Sequence, residues 1–172
     1  IAFQAKYFVP QNDDLEVWII SAENKSGKSR NLKLFPFVEW YLGDWAAELG
    51  IRNITILLND GKFDKKLDAI YATKFPWCGK EWPYFGYIAS SLKVEGFDVD
   101  YENFIGRYRD YSNPVVVEEG GCSNSDNVRG MNMVGALEHT LNLSAGEKKQ
   151  FVVLVGIGEK KNISKTERGC RV

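Results

Sequence analysis

The stretch Leu32-Lys33-Leu34-Phe35-Pro36-Phe37-Val38-Glu39-Trp40-Tyr41-Leu42 decides the fold, because it is the longest strand-like segment in the chain. At the two-residue repeat of a strand, Leu32, Leu34, Val38, Trp40 and Leu42 share one side. Lys33, Phe35, Phe37, Glu39 and Tyr41 share the other, which is largely aromatic. A strand apolar on both sides needs cover on both, and this predicts a central place in a packed β structure. Pro36 cannot donate to a ladder, which predicts a bulge or an edge at that point. The loop that follows, residues 43–53, mixes polar and aromatic groups and is the first candidate for function.

On the N-terminal side, residues 2–9 and 15–21 read as strands, divided by the turn cluster Pro10-Gln11-Asn12-Asp13-Asp14. Asn24-Lys25-Ser26-Gly27-Lys28 makes the next turn, so residues 1–42 predict an antiparallel meander. On the C-terminal side, residues 54–58, 67–75, 85–92, 114–118, 133–143 and 150–157 read as strands. Asn59-Asp60-Gly61 predicts a tight turn, and Ser144-Ala145-Gly146-Glu147 joins the last two strands as a hairpin. Residues 100–108 are the best helix candidate, with Asp100 as cap and Tyr101, Phe104, Ile105 and Tyr108 at helical spacing. Residues 119–130 form a polar, glycine-rich loop. The sum is an all-β protein, a large antiparallel β-sandwich with at most one short helix.

The 172 residues suit one domain, and a 44% hydrophobic, 13% aromatic composition suffices for a sizeable core. The 22 basic and 23 acidic residues give a net charge of −1, which excludes a nucleic-acid binder held mainly by phosphate contacts. No apolar run approaches the ~20 residues of a membrane span. Cys78, Cys122 and Cys170 are widely spaced, with no C-x-x-C and with His139 as the single histidine, which excludes a zinc site. Free thiols in a reducing cytoplasm are the simplest account of them. Asn24, Asn53, Asn142 and Asn162 begin glycosylation sequons, which carry no weight without a secretory signal. The first residue is Ile1, and the sequence beyond Gly158 is polar, basic and unpatterned. The expectation is a domain of a longer protein, with the sandwich over 1–158 and a tail or linker over 159–172.

No nucleophile elbow, P-loop or dinucleotide fingerprint occurs. His139 lies between Leu137 and Leu141 on the core side of a strand, where a buried, hydrogen-bonded histidine is the expected reading. Asp98, Asp100, Glu118 and Glu119 are carboxylates of the type used in glycosidic acid/base work, yet they read more simply as solvated turn residues. Arg107 and Arg109, around Tyr108, read as loop-fixing groups. Trp45, Trp77, Trp82 and Tyr84 lie in or beside loops. Each ring alone is best explained by packing between loop and sandwich. Together, flanked by polar side chains, they suit sugar recognition, in which a ring covers an apolar sugar face and polar groups take the hydroxyls.

Phe104-Ile105-Gly106-Arg107-Tyr108-Arg109-Asp110, Asn113-Pro114, Val117-Glu118-Glu119-Gly120 and Cys122-Ser123-Asn124-Ser125 together resemble the N-terminal domain of the cellobiose and chitobiose phosphorylase family. Leu143-Ser144-Ala145-Gly146-Glu147, Val153-Leu154-Val155-Gly156, Phe8-Val9-Pro10, Glu16-Val17-Trp18 and Phe37-Val38-Glu39-Trp40 extend the likeness over nearly the whole chain. The resemblance implies a supersandwich of the galactose mutarotase-like kind, followed in the parent by an (α/α)6 barrel that carries the catalytic groups. It implies inverting phosphorolysis of a β-glucoside such as cellobiose, with inorganic phosphate as co-substrate and no other cofactor, in a cytoplasmic homodimer. No catalytic residue is then expected in these 172. Loops of the sandwich would help close the acceptor-sugar site of the partner chain, and by position Arg52, Asn53, Asp44 and Glu48 are the implied substrate contacts, with Trp77 and Trp82 nearby. A free-standing carbohydrate-binding module and a purely structural dimerisation domain are the alternatives.

Overall fold

The structure is a computed structural model and describes residues 1–42, 56–75 and 82–160. Within them lie eleven strands: β1 (Ala2–Phe8), β2 (Leu15–Glu23), β3 (Arg30–Leu34), β4 (Phe37–Glu39), β5 (Asn59–Asp64), β6 (Ala69–Lys74), β7 (Tyr84–Ser90), β8 (Gly96–Asp100), β9 (Val128–Arg129), β10 (Met133–Leu143) and β11 (Lys148–Glu159). Two short helices, α1 (Tyr101–Phe104) and α2 (Val115–Glu119), lie wholly within the described residues. The strands form two antiparallel sheets. One has seven strands in the order β1-β2-β11-β7-β6-β5-β9. In the other, β3, β4 and β8 all pair with β10. The all-β sandwich is therefore as expected.

The opening stretch divides into β3 and β4 at Phe35-Pro36. The pairings Leu34↔His139 and Phe37↔Ala136 lie on one continuous register, with the Leu137 amide donating to the Pro36 carbonyl at 3.1 Å. Pro36 thus removes a donor without shifting the ladder. The register shift in this sheet lies on the opposite flank of β10, where β8 pairs. β3 and β4 pair with β10 alone among the described strands, so the stretch is an edge, one of the two outcomes expected at Pro36, while the expected central position is corrected and falls to β10. Cover on both faces is nevertheless present. Leu34, Val38, Trp40 and Leu42 pack into the core between the sheets, with Ile70, Ile88, Leu137 and Val153. Phe35 and Phe37 pack on Phe104, Ile105 and Val116, so the α1–α2 segment forms a third layer over the small sheet.

Glycine admits the largest ring of the inter-sheet core. A Cβ on Gly135 would sit 2.7 Å from Ile88 Cγ2 and closer still to the Trp40 ring, and one on Gly86 would sit 2.8 Å from Trp40 Nε1. Trp40 therefore lies against bare backbone on both β10 and β7.

The predicted meander ends after β2. The chain crosses to the other sheet, and Asn24 anchors the crossing. It is fully buried, and its side-chain amide donates to the Lys28, Leu143 and Ser144 carbonyls at 2.7, 3.1 and 2.9 Å. Its backbone exchanges hydrogen bonds with Glu147 and Gly146 at 2.9 Å each, locking the β10–β11 hairpin to the end of β2. The hairpin itself is as expected.

Three local expectations are overturned. Residues 56–58, the described part of the strand expected over 54–58, are helical and turn rather than extended. Asn59-Asp60-Gly61 opens β5 rather than turning, because Gly61 is where β5 crosses close to Val99 and Met133, and a Cβ there would lie 2.6 Å from Val99 Cγ1. Residues 115–119 form α2 instead of a strand. Pro114 enters in extended conformation and Gly120 closes the helix at φ 75°, so end signals and burial of Val116 outweigh the β preference of three valines. Asp100 caps α1 as expected, accepting from the Glu102 and Asn103 amides at 2.7 and 3.3 Å. The helix stops at Phe104, however, and Tyr108 is 98% exposed at φ 63°.

Gly135→Ala is expected to destabilise the fold by about 1–3 kcal/mol, since neither the Trp40 ring nor β7 can retreat without opening the core. Thermal or urea unfolding of the variant measures this, and Gly27→Ala, in open space, serves as the control.

Candidate functional site

Of the described residues that border the loops of the sequence-based expectation, Leu58, Phe75 and Pro83 lie at one end of the large sheet, with Lys160 beside them. Asn59 of β5 pairs with Lys74 of β6, and Tyr84 of β7 pairs with Glu159 of β11. The Phe75 amide donates to the Leu58 carbonyl at 2.8 Å, and the Lys160 amide to the Pro83 carbonyl at 2.8 Å. Asn59 Nδ2 donates to the Met131 carbonyl at 2.9 Å. The roots at Leu58, Phe75, Pro83 and Lys160 are thus stitched side by side. Arg52, Asn53, Asp44, Glu48, Trp45 and Trp77 lie outside the described residues. Trp82 and Tyr84 lie within them. The rings meet edge to face at 6.0 Å, and Tyr84 is 40% exposed while the Trp82 indole nitrogen is buried without a partner. Trp82 is thus a packing residue on its ring-nitrogen side.

The other root, at Leu42, follows a cluster that the sequence reading missed. The Glu39 carboxylate accepts from Tyr41 Oη at 2.7 Å and from Tyr111 Oη. Tyr111 stacks on Phe37 at 5.7 Å and meets Tyr101 edge-on at 6.3 Å. The bond to Glu39 raises the Tyr111 phenol well above its ordinary range, with burial adding to it, so it stays protonated and donating. The one signal in the sequence was Glu39-x-Tyr41 on a single strand face; Tyr111 is distant in sequence and read only as turn. Arg109 pairs with Glu118 and Arg107 lies 3.7 Å from Glu102, the loop-fixing role expected for both arginines.

The carboxylates resolve differently from one another. Glu118 and Glu119 are exposed, as expected. Asp98, expected in a solvated turn, is fully buried on β8. It accepts from Ser123 N and Oγ at 3.1 and 2.6 Å and from Ser125 N and Oγ at 3.0 and 2.8 Å. Four donors satisfy the carboxylate and leave it no geometry for attacking a substrate. Glu138, likewise buried, accepts from the Cys122 amide at 2.7 Å and pairs with Lys33. These two carboxylates pin residues 121–125 against the small sheet. The Cys122 thiol is free, and burial, reinforced by the Asp98 and Glu138 charges, pushes its pKa far above the usual thiol range. It is inert as a nucleophile.

His139 is buried, as expected, and its Nδ1 donates to the Lys93 carbonyl at 2.9 Å. Nε2 is buried without a partner. Burial lowers its pKa from the ordinary 6.5. Among the described residues no group of His, Cys, Asp or Glu could hold a metal ion, and no helix is long and apolar enough to cross a membrane.

The described residues form an antiparallel two-sheet sandwich in which the buried Asp98 and Glu138 carboxylates are committed to structure. The family model for the glycosyl hydrolase 94 supersandwich domain matches residues 1–168, and the chain belongs to that family. It is 29% identical over 155 residues to N,N'-diacetylchitobiose phosphorylase of Vibrio furnissii, a match covering 88% of this chain and 18% of the relative. It is 31% identical over 159 residues to solabiose phosphorylase of Paenibacillus borealis, covering 92% and 20%. A 3-O-beta-D-glucopyranosyl-beta-D-glucuronide phosphorylase of the same organism is 24% identical, with 89% and 20% covered. The chain thus spans about a fifth of the length of the curated relatives it matches.

Two outcomes follow. Because the folded state holds His139 neutral, the unfolded chain binds more protons just below pH 6.5, and stability rises with pH through that window. Unfolding measured from pH 5 to 7 is expected to show this slope, and His139→Gln to flatten it. Asp98→Ala leaves four donors around an empty site and is expected to cost about 3 kcal/mol or more, read by urea unfolding.

Proposed function

We propose that the chain is the supersandwich part of a longer inverting carbohydrate phosphorylase, with residues 1–158 as scaffold and residues 159–172 leading toward an (α/α)6 catalytic barrel. That polypeptide cleaves a β-linked disaccharide with inorganic phosphate and releases a sugar 1-phosphate in the cytoplasm. The sandwich supplies loops to the acceptor-sugar site, through Arg52, Asn53, Asp44 and Glu48 with Trp77 and Trp82 close by, and contributes to a homodimer contact.

The observation that carries this reading is the family match over residues 1–168. The site chemistry agrees with it. His139 is held neutral in the core, Cys122 is held as a thiol, and Asp98 is saturated with donors. A sandwich of this kind acts through shape and placement. Recognition of a sugar suits the residue types of these loops: aromatic rings against an apolar sugar face, with guanidinium and amide groups on its hydroxyls.

The 172-residue chain alone is expected to release no sugar 1-phosphate from β-linked disaccharides and phosphate, while the full-length polypeptide does. Release by the chain alone overturns the assignment. In the full-length protein, Arg52→Ala with Asn53→Ala is expected to raise the acceptor KM about tenfold in the synthetic direction, with kcat little changed. Unchanged acceptor kinetics would make these residues structural only.

A further inference from the structure

The large sheet carries an aromatic row on the face turned away from the small sheet. Leu15 of β2, Gly156 of β11, Tyr87 of β7, Tyr71 of β6 and Lys62 of β5 stand side by side in register. The residues that alternate with them, among them Ile70, Ala72, Ile88 and Val155, belong to the core between the sheets. Tyr71, Phe85 and Tyr87 belong to none of the core clusters of the described residues. All three are half-buried. The small sheet lies on the opposite face and the α1–α2 segment lies beyond it, so neither covers this row.

Glycine sets the posture of the rings. A Cβ on Gly156 would lie 2.5 Å from Tyr87 Oη and 2.6 Å from its Cζ, and one on Gly158 would lie 2.5 Å from Phe85 Cζ. Both rings therefore lie down across β11 instead of standing off the sheet. Phe85 and Tyr87 are 6.1 Å apart and tilted by 40°, and Tyr71 meets Phe85 edge-on at 5.4 Å. A protein layer packs on a sheet by interdigitating side chains. Here the two glycines remove the projections that such a layer would lock onto, and a flat apolar shelf is left. Burial, then the Asp64 charge, raises the Tyr71 phenol to about 12, and burial with the Asp13 and Asp14 charges raises that of Tyr87. Both phenols stay protonated, and the charges that act on them are negative, which disfavours an anionic ligand.

We propose that this shelf binds a neutral, extended oligosaccharide, with the apolar faces of successive sugar units over Phe85 and Tyr87 and sugar hydroxyls donating to the exposed Asp13 and Asp14 carboxylates. Two rings in line suit a chain of sugars better than a single unit. Carboxylates beside flat rings suit hydroxyl donors and repel phosphate and nucleic acid. The site uses none of residues 43–53. The choice of a β-linked chain as the probe rests on the phosphorylase reading, but the test reads binding and is independent of phosphorolysis.

Amide NMR spectra of the 172-residue chain are recorded with cellohexaose, with chitohexaose and with inorganic phosphate. At least one of the two saccharides is expected to shift residues 71, 85–87 and 156–158, and phosphate to leave them unmoved. In native gels containing hydroxyethyl cellulose or glycol chitin, the full-length polypeptide is expected to be retarded. Its Phe85→Ala, Tyr87→Ala double variant is expected to bind about tenfold more weakly, as the loss of two ring contacts implies, with disaccharide phosphorolysis unchanged. Absence of saccharide shifts, or shifts confined to other residues, overturns the proposal whether or not the variant folds. Equal retardation of a folded variant and the unaltered polypeptide overturns it as well. Binding by the 172-residue chain that the full-length polypeptide lacks also overturns it, and assigns the face to another part of that polypeptide.

Discussion

The small sheet exists because β10 accepts partners on both flanks and buries both faces. β3 and β4 lie along one flank and β8 along the other, so removing β10 would leave those three strands without a ladder. One face of β10 enters the core between the sheets through Met133 and Leu137, and the other sends Val134 and Ala136 beneath α1 and α2. Burial on both sides accounts for the unbroken run of apolar and glycine residues from Met133 to Leu137. It also accounts for Gly135, where the two sheets close on Trp40. The hydrophobic effect drives this arrangement, but it is non-directional. Register comes from elsewhere, namely from the continuous β3–β4 ladder and from Asn24, which fixes the β10–β11 hairpin against the end of β2.

The two buried carboxylates follow one rule: each is matched to donors that a single chain path can bring. Asp98 and Glu138 hold the loop after α2 by accepting hydrogen bonds from its backbone amides and, at Asp98, from its serine hydroxyls. A buried carboxylate with one donor fewer would favour another loop path or a protonated state. The loop from Gly121 to Ser125 therefore has little freedom, although its sequence is that of a flexible connection.

The two-sided pattern of residues 32–42 was legible because burial on each face is written at period two, and the family likeness was legible because its short motifs keep their order. What failed was information that local sequence does not hold. Asn59-Asp60-Gly61 has turn chemistry, yet Gly61 is small because Val99 and Met133 press on β5 from the other sheet. Val115-Val116-Val117 has strand propensity, yet Pro114, Gly120 and the pocket under Val116 impose a helix. Asp98 looked solvated because its four donors come from residues 25 and 27 positions away. Of the candidate site, Trp82 proved to be in part a packing residue, while the Glu39–Tyr111 contact joins groups 72 positions apart and left no trace in spacing.

A loop that selects a ligand must leave a root that does not move, since a shift at the root is carried to every residue beyond it. The roots here meet that condition by different chemistry at the two places. At Leu58, Phe75, Pro83 and Lys160, backbone hydrogen bonds join neighbouring chain segments, and side-chain identity matters little. At Leu42 the anchor is a carboxylate between two phenols, backed by Phe37 stacked on Tyr111. Backbone stitching tolerates sequence change, whereas the Glu39 anchor depends on three particular side chains. The direction in which the chain leaves β4 is thus the more sensitive of the two to substitution.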